Sequence, residues 1–85
     1  MNSEKRFVTR LKEILADCNL DNYSYIGRQL GFSRQVIWNY TEGIRMPKAV
    51  DRKRIVDLIN KLAYTAYTEL DIWPSFISNK GINRE

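Results

Sequence analysis

Histidine is absent from this 85-residue chain, and cysteine occurs once, at Cys18. Without histidine there is no Ser-His or Cys-His nucleophile pair, and most zinc sites are excluded as well. A single thiol forms no disulfide within the chain and fits a reducing compartment. Cys18 is expected as a small residue on the inner face of the first helix. Long apolar runs are also missing, since nothing approaches the ~18 consecutive residues that span a bilayer. The opening "MNSEKRFVTR" places no apolar stretch behind its charges and does not read as a signal peptide. No internal repeat or low-complexity segment is visible. The chain is therefore expected to be an intact cytosolic protein with no membrane contact.

What is present suits one small folded domain. Hydrophobic residues make up 44% of the chain, which is enough for a core and too many for a disordered segment. The formal charge is +4, a modest bias towards polyanions. Carboxylate pairs exist at Asp17/Asp21 and Asp51/Asp57, but they fall at helix ends or on a surface. With no histidine and no length for a pocket, an enzyme is not expected, nor a metal or cofactor.

The periodicity is helical. Ser3 is a plausible cap for a first helix from about Ser3 to Asp17, with Phe7, Val8, Leu11, Ile14, Leu15 and Cys18 at three- and four-residue spacing. "NLDN" at 19–22 is a turn, with Asn22 or Ser24 as the next cap. A second helix runs from Tyr23 to Leu30 and ends at Gly31. Ser33 caps a third, from Arg34 to about Glu42, which Gly43 ends. Pro47 starts or immediately precedes a fourth, whose stripe Ile55, Ile59, Leu62, Ala66 and Leu70 predicts a helix as far as Glu69. The tail breaks at Pro74.

Two short helices joined by a tight glycine turn make a helix-turn-helix when three demands are met. A small residue must stand where the second helix crosses the first, and Gly27 does. A glycine must follow at the turn, and Gly31 does. A buried aliphatic residue must pin the second helix to the first, and Ile37 stands there with Val36 beside it. Between these anchors lie Arg34, Gln35 and Asn39, polar and long enough to reach bases.

The stretch "IGRQLGFSRQVIWNYTEGIRMP", Ile26 to Pro47, resembles the phage repressor and Cro-type helix-turn-helix family without a gap. The resemblance rests on Ile26, Gly27, Leu30-Gly31, Phe32, Ser33, Ile37, Tyr40, Gly43 and Pro47. The family usually carries alanine at the position of Gly27 and often glutamine at that of Tyr23. Trp38 is unusually large for an outward-facing position. The tail "DIWPS", Asp71 to Ser75, is similar to the end of the Ner-like phage regulators.

The resemblance implies an all-α, compact four- to five-helix lambda-repressor-like domain over 1–70, with the helix-turn-helix unit at about 23–43. Residues 71–85 would form a short tail that caps the core or makes a dimer contact. It further implies a sequence-specific double-stranded DNA-binding transcriptional regulator, a repressor of phage or mobile-element type, with the helix at about 34–42 in the major groove. Arg34, Gln35, Asn39 and Trp38 would then read bases, and Trp38 could touch thymine methyls or sugar, or instead pack against the fourth helix. Tyr23, Arg28, Ser33, Arg45, Lys48 and Arg52 would hold phosphates. The run Arg52-Lys53-Arg54 has two readings: nearby phosphate, or a solvated face partnered by Asp51 and Asp57. In the tail, Trp73 is expected in the core and Phe76 and Ile77 in a homodimer contact. Control would come from concentration or from a regulatory protein partner, since no sensor domain is evident. The alternative is a protein-interaction module on the same fold, such as an antirepressor or phage-encoded inhibitor, that does not read DNA.

Overall fold

The computed structural model describes residues 6–74. Five helices follow one another: α1 (Leu11–Asp17), α2 (Tyr23–Leu30), α3 (Arg34–Thr41), α4 (Ala49–Ala63) and α5 (Glu69–Ile72), and no strand occurs among the described residues. Leu11, Ile14 and Leu15 of α1 meet Ile26 and Leu30 of α2, Ile37 and Tyr40 of α3, and Ile55 and Ile59 of α4 in one core. Ile72 and Trp73 complete it from the C-terminal side, and both are almost fully buried. The expectation of Trp73 in the core therefore matches its placement, while Ser3, Phe76 and Ile77 lie outside the described residues.

The first helix is shorter than its periodicity predicts. It starts at Leu11, and residues 6–10 are not helical. Phe7, Val8 and Thr9 are aromatic or β-branched, types that lose side-chain freedom in a helix. Here their segment is held from outside. The Phe7 N–H donates to Gly43 O at 2.8 Å and the Arg10 N–H to Ile72 O at 2.8 Å. The Thr9 hydroxyl accepts the Leu11 N–H at 3.1 Å, which partners one of the free donors at the start of α1. Phe7 and Val8, expected to face inward, are exposed. Cys18 ends α1 half-buried against the core.

The fourth helix also ends early. It stops at Ala63 instead of Glu69, with Tyr64 in the left-handed region at φ 56°. Asn60 enforces the stop. Its Oδ1 accepts from Tyr67 N at 2.8 Å and from the Thr65 hydroxyl at 2.9 Å, and its Nδ2 donates to Tyr67 O at 3.0 Å. Ala66 and Leu70, expected on the apolar stripe, are consequently exposed. Thr68 then opens α5 with a capping box, donor and acceptor exchanged with Asp71.

The α2–α3 pair follows its sequence signals closely. The Asn22 side chain accepts the Tyr25 N–H at 3.1 Å and starts α2, and Ser33 Oγ accepts the Val36 N–H at 3.2 Å and starts α3. Between them Gly31 takes φ 83°, a left-handed conformation that glycine adopts without a Cβ penalty. Gly27 has a different reason to be glycine. A Cβ there would meet the backbone oxygen of Phe32 well inside 3.0 Å, so the turn approaches α2 as closely as only a bare backbone permits.

Candidate nucleic-acid interface

One edge of α3 is buried and the other is left to solvent. Ile37 is 1% exposed and fixes α3 on α2, while Tyr40 packs its ring edge-on to Phe32 with centroids 5.7 Å apart. Burial holds the Tyr40 hydroxyl above its ordinary pKa, and Asp51 adds to this while Arg45 opposes it. With those residues inward, Arg34, Gln35 and Trp38 point out and line one shallow recess. Trp38 is 41% exposed, in contrast to the buried Ile37 and Tyr40 on the same helix. Asn39 is half-buried, and its Oδ1 accepts from Gln35 Nε2 at 3.3 Å. The edge thus carries two i,i+4 rows, Arg34/Trp38 and Gln35/Asn39.

The backbone oxygen of Asn39 accepts from Ile44 N at 3.0 Å and Arg45 N at 3.3 Å. This folds the loop after α3 back onto its last turn and presents Arg45 next to that end. Lys48 is exposed at the N-cap of α4, and Arg28 is exposed in the last turn of α2. Tyr23 opens α2 half-buried against the core. Ser33 is exposed at the start of α3, with its hydroxyl engaged in the cap.

Ion pairing divides the basic residues. Arg6 and Lys12 pair with Glu42, Arg10 with Glu13, Lys53 with Asp57 and Arg54 with Asp51. Among the described residues, Arg28, Arg34, Arg45 and Lys48 make no ion pair, and Lys61 shares that state. Positive charge left uncompensated therefore falls chiefly on α2, on α3 and in the α3–α4 loop. Such charge attracts polyanions over about one Debye length, ~10 Å at 0.1 M salt.

Arg52 does not join this set. It is 8% exposed, and its guanidinium donates to Glu69 Oε1 at 3.0 Å and to Pro47 O at 2.8 Å. It ties α4 to α5 and to the loop before α4, so the structure places it away from the phosphate role expected for it. Of the run 52–54, Lys53 pairs with Asp57 and Arg54 with Asp51, the partners expected for a solvated face, while Arg52 is buried and pairs with Glu69.

Sequence reasoning missed Arg54 as an organiser of the turn. Its Nη2 donates to Leu30 O at 2.7 Å, satisfying a carbonyl at the end of α2, and the guanidinium lies 5.7 Å from the Phe32 ring centroid. Only its spacing to Asp51 was visible in the sequence.

Among the described residues no group of three or more histidine, cysteine, aspartate or glutamate side chains could hold a metal ion, and no helix is long and apolar enough to cross a membrane. No protein-family model matches the chain, and no curated protein or solved structure matches it.

Proposed function

We propose that α2, the Gly31 turn and α3 form a DNA-binding helix-turn-helix of the lambda-repressor-like kind, with α3 as the helix that enters the major groove. Within that class, the chain acts as a sequence-specific transcriptional regulator of the phage repressor and Cro type, repressing by occupying an operator. The observation that carries this reading is the outward edge of α3. Arg34 and Gln35 lie in its first turn, the part of a recognition helix that meets base edges, and the uncompensated charges of Arg28, Arg45 and Lys48 fall on α2 and in the loop between α3 and α4.

Arginine bonds guanine O6 and N7 together, and glutamine does the same with adenine N6 and N7. Arg28, Arg45 and Lys48, with backbone N–H groups at the helix starts, supply phosphate contacts that fix the register. Nothing in this scheme needs a cofactor or a chemical step. The protein binds as a homodimer on two half-sites. Selection from random duplex DNA should enrich a palindrome with half-site centres ~10 bp apart. Failure to enrich any sequence would sink the proposal.

A second reading is a protein-interaction module that does not read DNA. The exposure of Trp38 supports it, since tryptophan is enriched at protein interfaces. The same selection separates the two readings.

A further inference from the structure

Resting on the DNA-binding reading, we infer that Trp38 gives the operator a requirement for a thymine 5-methyl group. That methyl would lie one or two base pairs from a guanine read by Arg34. Trp38 is the large apolar group on an edge otherwise built of Arg34, Gln35 and Asn39. It forms one side of the recess that Arg34 and Gln35 complete. In the major groove every base displays hydrogen-bonding atoms, and thymine alone among the four adds an apolar one, its methyl. The apolar face of the indole therefore has one complementary surface among the base edges of that groove.

The register follows from the helix. Arg34 and Trp38 are four residues apart, about 6 Å along the axis at 1.5 Å per residue. That separation covers about two base steps of ~3.4 Å each. Meanwhile the bond from Gln35 to Asn39 turns the Gln35 amide along the parallel row. It leaves the apolar face of the recess to Trp38.

The experiment changes the DNA before it changes the protein. On the duplex enriched from random sequences, each thymine is replaced in turn by deoxyuridine, which removes the methyl and keeps every hydrogen-bonding atom. Affinity of the full chain is then measured for each duplex. One thymine per half-site, one or two base pairs from a guanine, should lose about fourfold, the equivalent of one buried methylene. That loss should vanish for Trp38→Ala, while replacement of the neighbouring guanine should still weaken that variant.

Several outcomes would overturn the inference and leave the DNA-binding reading intact. These are an enriched sequence insensitive to deoxyuridine, a loss that persists in Trp38→Ala, or a weakening by Trp38→Ala that no thymine shares. Absence of any enriched sequence overturns both.

Discussion

Replacing Gly27 by alanine sets two effects against each other. Alanine is the better helix former by ~1 kcal/mol, which alone would stabilise α2. The phage-repressor reading proposed above would predict a harmless change, since that family usually carries alanine at the matching position. The geometry here predicts otherwise. The added Cβ would fall well inside 3.0 Å of Phe32 O and at 3.3 Å from both Phe32 C and Ser33 O, all backbone atoms. A flexible side chain could swing aside, but a backbone carbonyl at a helix-joining turn moves only with the turn. Relieving an overpacked contact of this kind costs about 1–3 kcal/mol. Net of the helix gain, Gly27→Ala should cost the domain about 0–2 kcal/mol, out of the ~4–13 kcal/mol expected for a chain of this length. Each kcal/mol lowers Tm by about 4–8 °C in a domain of this size. The displaced element is Ser33 and the start of α3, so DNA affinity should fall further than stability, by about tenfold or more if one base goes unread. Urea denaturation and duplex binding measured on the same preparation give both numbers. A variant about 1 kcal/mol more stable than the parent, with undiminished affinity, would refute the reasoning.

Four further outcomes follow from the structure. Arg52→Ala removes the donor to Pro47 O and leaves Glu69 alone. It should destabilise the fold by about 1–3 kcal/mol in urea titration, since Glu69 remains partly solvated, and leave the salt slope of DNA binding unchanged. Arg45→Ala and Lys48→Ala should do the reverse: stability within ~0.5 kcal/mol of the parent, and a salt slope shallower by ~1 for each phosphate no longer neutralised. Tyr64→Gly relieves an exposed side chain held at positive φ and should raise stability by about 1 kcal/mol, read as a higher urea midpoint. Tyr40 has its pKa raised in the fold above 10.0 by burial, so its contribution is fully present below the unfolded value and lost as pH rises through the folded one. Alkaline unfolding should therefore set in above about pH 10, and Tyr40→Phe should flatten that dependence.

What was legible in the sequence was the part whose signals are local. Asn22, Gly31 and Ser33 each act within a few residues, by capping a helix or by taking a positive φ. The bounds of α2, and α3 to within a residue, followed from them. The periodic stripe also located the core residues of α1 and α4. The errors arose where a distant partner decides. Phe7 and Val8 continue the helical spacing of α1, but Gly43 and Ile72 bind that backbone instead. Ala66 and Leu70 continue the spacing of α4, but Asn60 captures the chain before it reaches them. Arg52 looked like one of three surface charges because nothing in its own segment announces Glu69, which arrives from α5. The candidate site was legible for the same reason as α3: residues on one short helix sort by period alone. What the sequence could not supply was the electrostatic division, which depends on which acids fold back onto which bases.

The central claim is that the outer edge of α3 reads DNA sequence. Its most direct test is an anisotropy titration of the chain and of the Arg34→Ala/Gln35→Ala double variant. Both are measured on the selected duplex and on a scrambled one, from about 50 to 200 mM salt. The account predicts that the parent prefers the selected duplex by ~10³-fold or more. The double variant should lose most of that preference and keep a steep salt dependence through Arg28, Arg45 and Lys48. A variant that retains the parent's preference, or a parent whose binding shows no preference and no salt dependence, would contradict it.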